Sequence, residues 1–327
     1  MTELAPSQSR HRKTAQRRTA TTLRAYFPIL LLVAICVVFS LMSGRFLTVT
    51  NLFLVLQQSA VLLVTALGMT FVIVAGSIDL SVGSTVALAA LAAAMASNGL
   101  GVLAVVPAIL AGILAGALNG VLVAWGKVPS FIVTLGAMVV YRGVVLLFTK
   151  GAPVSILDEG FLDVFGGDTL GIPNAAILSL GAALLCHIAL TRSVFGREVK
   201  AIGGGERVAE LTGIRVPQVK LAMFAVAGML AGLAGALQAA RTMAATSQLG
   251  EGLELDAIAA VVVGGTPLTG GVGGVGGTVL GALIITILSN GMNMIGVDPY
   301  LQNIAKGAIL VIAVFLTIDR EKIGVIK

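Results

Sequence analysis

Thr191-Arg192-Ser193-Val194-Phe195-Gly196-Arg197-Glu198-Val199-Lys200-Ala201-Ile202-Gly203-Gly204-Gly205-Glu206-Arg207-Val208-Ala209-Glu210-Leu211-Thr212-Gly213-Ile214-Arg215-Val216-Pro217-Gln218-Val219-Lys220 is the longest charged interior stretch of the chain, and long apolar runs lie on both sides of it. Everything around it reads as membrane. Charged residues make up 11% and apolar residues 57% of the 327 positions. Mean hydropathy is +1.03. A soluble domain carries about 25% charged residues. The pattern is that of an all-α polytopic membrane domain that holds one charged handle out to a soluble partner.

Working outward from the handle, apolar runs suitable for spans fall at 27–44, 53–75, 79–98, 103–125, 129–149, 173–190, 219–240, 256–266, 275–296 and 302–318. The run 256–266 is too short to cross alone at 1.5 Å per residue. It is expected to continue irregularly through Gly270–Gly277, which is tolerated at membrane depth only under cover of protein or beside water. Residues 1–26 form a basic tail, 27–318 the membrane domain with the 191–220 loop, and 319–327 a second tail. The run 27–44 is longer than a signal-peptide core and more spans follow it, so it reads as an uncleaved first helix. Lys and Arg sort the loops. With both termini in the cytoplasm, sixteen of the 21 basic residues fall inside, while the 150–172 loop carries Asp158, Glu159, Asp163 and Asp168 outside.

The +6 net charge sits at membrane edges, without the basic stripe interleaved with aromatics that nucleic acid requires. Cys36 and Cys186 lie in apolar runs and suggest no disulfide framework. Nothing resembles a metal-ligand cluster or a paired-carboxylate active site. Gly271-x-Gly273-x-x-Gly276 has the spacing of a dinucleotide fingerprint but lacks its strand and its acidic residue. The phosphate-cradling G-x-x-x-x-G-K-[ST] pattern is absent, so the chain does not hold ATP by itself.

Small residues recur four apart at Gly112-Gly116-Gly120, Gly228-Gly232 and Gly277-Gly281. This spacing lets membrane helices approach closely, either within one subunit, which we favour, or at a dimer seam. Gly112-x-x-x-Gly116-Ala117-Leu118 recurs as Gly277-x-x-x-Gly281-Ala282-Leu283 in a run of opposite direction, a faint inverted repeat of the kind that suits alternating access.

Within the handle, Glu206 favours a helix start and Gly213 a helix stop. Val208 and Leu211 then share one face and need a cover, either lipid headgroups or a groove in a partner. Composition leaves both open. Two charges stand out inside the spans, Asp79 and Arg142, each costing ~2.5–3.5 kcal/mol at a helix centre without a partner or water. Gly76-Ser77-Ile78-Asp79 suggests a broken helix, with Asp79 capping a helix that starts at Leu80. Arg142 is expected to pair with an acidic residue or to snorkel outward. The other in-span polar residues are neutral, among them Asn119, Thr134, Asn290 and Asn293. Together with Asp79, Ser81 and Arg142 these are the candidates for pathway lining or structural support. A neutral, weakly polar path fits an uncharged polyhydroxylated solute.

The chain resembles the ribose-type permeases of bacterial ABC sugar importers in five collinear blocks between residues 27 and 320. They are Gly68-Met69-Thr70-Phe71-Val72-Ile73-Val74-Ala75-Gly76-Ser77-Ile78-Asp79-Leu80-Ser81-Val82-Gly83-Ser84, Pro129-Ser130-Phe131-Ile132-Val133-Thr134-Leu135-Gly136 with Arg142-Gly143, Phe195 to Gly204, Gly277 to Ala282, and Asn290 to Val297. The resemblance implies a subunit of about ten spans in the bacterial cytoplasmic membrane, paired with a second permease subunit. It further implies a periplasmic or lipid-anchored sugar-binding protein outside and a cytoplasmic ABC ATPase inside, which binds the ATP and Mg this chain lacks. Gly196, Arg197, Ala201, Glu206, Arg207, Ala209 and Gly213 would then couple to the ATPase. Members of that family often have Asn at the position of Gly205, Gly at Ser77 and Ser at Pro267. The first departure removes a cap from the handle's helix; the third is expected to kink the eighth span. A permease for another small solute, such as a furanose signal or an amino acid, stays open as an alternative, as does an ion-coupled carrier.

Overall fold

The computed structural model describes residues 27–317; both tails lie outside the described residues. Among these residues the chain is almost wholly helical. The long helices are α1 (Phe27–Met42), then α2 (Val49–Val74), α3 (Val82–Leu100), α4 (Val105–Ala124) and α5 (Ser130–Thr149). After a short connection come α6 (Glu159–Gly166) and α7 (Asn174–Arg192). The handle holds α8 (Val194–Gly204) and α9 (Glu206–Leu211). The rest is α10 (Val216–Thr242), α11 (Leu253–Val263), α12 (Val275–Met294) and α13 (Pro299–Thr317). Val154–Ser155 and Ala244–Ala245 pair as two-residue antiparallel strands, joining the turn after α5 to the turn after α10.

Among the described residues, six stretches are long and apolar enough to cross a membrane, with α3 and α4 running back to back in one of them, Val82–Ala124. Phe27–Met42 and Pro299–Phe315 are shorter apolar helices. The chain is thus a multi-pass membrane protein. α2 and α10 form its centre. Val64, Ala66, Leu67, Phe71 and Val72 on α2, and Met223, Phe224, Ala231 and Leu237 on α10, are all fully or almost fully buried.

The small-residue stripes close inside the subunit. A Cβ on Gly112 would overlap the Gly228 carbonyl, and one on Gly116 would overlap the Phe224 carbonyl. A Cβ on Gly281 would likewise overlap the Ala260 carbonyl of α11. Backbones meet because glycine leaves nothing between them, and in lipid such close van der Waals packing is the main force between helices.

Two breaks shape the interior. Residues 75–81 separate α2 from α3, and 264–274 separate α11 from α12. They lie against one another: the Gly271 N–H donates to the Val74 carbonyl at 2.8 Å, and the Thr70 and Thr278 hydroxyls meet at 2.7 Å. The expected irregular backbone is therefore present and covered by protein. The expected kink is not. α11 ends at Val263, so Pro267 sits in the loop and distorts no helix.

Candidate functional site

The handle is built on three tight backbone approaches. Ser193 caps α8 by accepting the Gly196 N–H at 3.0 Å. Gly196 is required because a side chain there would overlap the carbonyls of Ala189 and Leu190, where α8 turns back on α7. Val199 and Ile202 are buried, and the Phe195 ring stacks on Phe71 of α2 with centroids 5.8 Å apart. The structure carries α8 through Gly204, and Gly203 is there for contact. A Cβ on Gly203 would overlap the Val74 carbonyl and crowd the Gly271 nitrogen. One atom position thus joins α8, the α2–α3 break and the α11–α12 break.

α9 begins at Glu206 and ends before Gly213, which has φ +88°, as its residues imply. Gly205 supplies no side-chain cap. The helix is held by Ala209, which is buried, and by Glu206, which accepts from Lys220 at the start of α10 at 2.7 Å. The Arg207–Glu210 pair is solvent-facing and adds little. Val208 and Leu211 are 66% and 75% exposed, so the apolar face of α9 has no cover among the described residues. Of the predicted handle residues, Arg197, Ala201, Glu206, Arg207 and Gly213 are exposed together, while Gly196 and Ala209 are buried beneath them. Behind α9 lies a polar cleft of about 610 Å³, lined by Gly76, Ser77, Lys127, Ser130, Glu206 and Lys220 among others.

The predicted pathway residues separate into two groups. Asp79, Ser81, Asn119 and Thr134 are all buried and belong to one network around the α2–α3 break. Helix α3 starts at Val82, two residues later than expected. Asp79 does not cap its first turn directly. Its Oδ1 accepts from the Ser81 N–H at 2.8 Å and the Ser81 hydroxyl at 2.6 Å. Ser81 Oγ in turn accepts from Asn119 of α4 at 2.8 Å, and Asn119 Oδ1 accepts from the Tyr141 hydroxyl of α5 at 3.1 Å. The open backbone of the break is met by α5: Ile78 N–H donates to Ser130 Oγ at 3.1 Å and Leu80 N–H to Thr134 Oγ1 at 3.0 Å. These residues satisfy one another's buried polar groups and those of the open backbone. Asn290 is likewise buried, in a reciprocal amide pair with Asn51 at 3.0 and 2.9 Å. Asn293 accepts from Gln302 at 2.8 Å near the end of α12.

Arg142 makes none of the ion pairs found among the described residues. Its guanidinium donates to the carbonyls of Ser247 and Leu249, the latter at 2.7 Å. The 246–252 loop therefore packs against α5 at Arg142. Sequence reasoning missed one ion pair. Lys306 of α13 donates to Asp256 of α11 at 2.8 Å. A lysine inside an apolar run was the available signal, since an unpaired one there is costly. Among the described residues, no group of His, Cys, Asp and Glu could hold a metal ion.

The chain matches the family model described as branched-chain amino acid transport system / permease component over residues 51–314. It is 44% identical to the ribose import permease protein RbsC of Bacillus subtilis (strain 168), covering 90% of this chain and 92% of that protein. It is 43% identical to the ribose import permease protein RbsC of Escherichia coli (strain K12), with the same coverage. It is 36% identical to the xylose transport system permease protein XylH of Escherichia coli (strain K12), covering 90% and 91%. No solved structure matches the chain.

Proposed function

The chain belongs to the permease-component family of the branched-chain amino acid transport systems, and from that premise we propose that it is the membrane subunit of an ATP-driven importer for a pentose or hexose. It is a transport subunit and not an enzyme; ATP hydrolysis belongs to a separate subunit. The observation that carries the choice of solute is the 44% identity to a ribose import permease over nearly the whole chain, with a xylose permease also among the relatives. The family model's own description names amino acids. The sugar reading is favoured because the sugar permeases match from end to end.

In this reading the exposed apolar face of α9 seats in a groove of the cytoplasmic ATPase. α8 transmits its motion to the two breaks through Gly203. ATP and magnesium sit in the ATPase and this chain holds no cofactor. A sugar-binding protein, free in the periplasm or lipid-anchored, delivers solute from outside, and a second permease copy completes the path. The chain makes ten passes of the bacterial cytoplasmic membrane, with α11 and its loop serving as an irregular pass and with both tails inside. Membrane lipid surrounds the outer faces of α1, α4 and α7.

The test is uptake by proteoliposomes carrying the subunit, its ATPase and its binding protein. ATP-dependent accumulation of ribose or xylose is expected, with no uptake of leucine. Accumulation of leucine but no sugar would replace the solute class and leave the coupling scheme standing.

A further inference from the structure

We propose that the re-entrant segment 246–256, together with Arg142 of α5 and Lys306 of α13, forms a water-lined wall of the translocation path that begins about a third of the way into the membrane and runs inward to the start of α3. The proposal rests on the importer reading for the existence of a path, and it assigns that path a location.

The depth follows from helix geometry. Arg142 lies seven residues before the end of α5 at Thr149, and Lys306 seven residues after the start of α13 at Pro299. At 1.5 Å per residue each stands ~10 Å in from its helix end. The paired strands joining the turns after α5 and α10 place the start of the re-entrant segment at that same side. The segment then descends to Arg142. Its tip goes deeper, to the second residue of α3, where a Cβ on Gly83 would overlap both the Gly250 carbonyl and the Glu254 carboxylate.

Exposure then decides between lipid and water. Asp256 and Lys306 each keep 23% of their side-chain surface uncovered. Gln248 and Glu251 are exposed on the same segment, and Leu255, between the two acids, is 53% exposed. Hydrocarbon against a partly open ion pair and an open glutamate is strongly unfavourable; such groups face a bundle interior or a water-filled cavity. α7 provides the contrast. Ile177, Leu180, Leu184, Leu185 and Ile188 are all exposed there with no charge among them, which is a lipid-facing surface. The chemistry of the wall also fits the cargo. Carboxylates, an ammonium and an amide can exchange hydrogen bonds with hydroxyls in passing, while the Asp256–Lys306 pair satisfies itself when no solute is present. Asp79, Ser81, Asn119, Thr134 and Asn290 are buried, whereas Gln248, Glu251 and Leu255 remain open.

The test is thiol labelling of membranes holding the complete importer, in a background with Cys36 and Cys186 replaced by alanine. Leu255→Cys and Gln248→Cys should react with a membrane-impermeant, charged thiosulfonate applied from outside at least about tenfold faster than Leu180→Cys, a lipid-facing control at similar depth on α7. Equal rates at all three positions, in variants that insert and assemble normally, would overturn the proposal. Protection of Leu255→Cys by ribose plus its binding protein would support wall and solute class together. Fast labelling that leucine but not ribose suppresses would keep the wall and overturn the monosaccharide reading. A charge reversal supplies a second readout. Asp256→Lys with Lys306→Asp should keep uptake within about fivefold of wild type, while either single change lowers it at least about tenfold.

Discussion

Gly203→Val should abolish solute uptake in whatever fraction of the importer still assembles, while that fraction still hydrolyses ATP. The side chain would occupy the space now filled by the Val74 carbonyl and the Gly271 nitrogen. Those atoms belong to the two breaks that meet at 2.8 Å, so a wedge there separates α8 from both. The ATPase face of α9 is elsewhere and stays intact. An energetic connection of about 3 kcal/mol corresponds to roughly 150-fold, and a loss on the order of 100-fold in uptake per ATP is the expected scale. Gly204→Ala is the control, because a Cβ at Gly204 meets nothing within 4 Å. It should retain near-normal uptake. Equal defects in both variants, or normal uptake in Gly203→Val, would remove the junction from the mechanism.

Gly228→Val should prevent the subunit from folding to a stable form. Gly228 faces Gly112 across the α4–α10 interface, and its Cβ would overlap the Gly112 carbonyl. Overpacking a core costs about 1–3 kcal/mol where side chains can shift. Here the obstacle is backbone on both sides, so the cost should exceed that range. Gly136→Val on the open face of α5 meets nothing within 4 Å and should be close to neutral. Size-exclusion chromatography of detergent-solubilised protein after a heating series reads both. The expected outcome is loss of the monodisperse peak for Gly228→Val alone. If the stripe served chiefly to join two copies, Gly228→Val would instead yield a stable monomer.

The contrast between the two glycines shows what the sequence could disclose. Small residues four apart announced a close helix approach, and our preference for an approach within one subunit agrees with the structure. The identity of the facing helix was not legible, because Gly112 and Gly228 are far apart along the chain. The α2–α3 break was legible from Gly76, Ser77 and Asp79, residues that resist continuing a helix. That Ser130 and Thr134 would satisfy it was not, since serine and threonine in a span usually bond to their own helix. α9 was legible because its start and stop are local. α8 was not resolved as a helix, because a glycine run reads as a breaker unless something requires the missing side chain. The partners of Arg142 were not legible for a related reason: they are backbone carbonyls, which every residue carries and no sequence pattern marks. The Asp256–Lys306 pair spans fifty positions and joins helices that are neighbours only in the fold.

The account depends on the motion being driven through the inner loop by a separate subunit. The direct measurement is solute accumulation in liposomes containing this chain alone, with imposed proton and sodium gradients, compared with liposomes that also contain the ATPase, the binding protein and ATP. Accumulation is expected only in the second set and only while ATP lasts. Uphill transport by the lone chain on either ion gradient would contradict it.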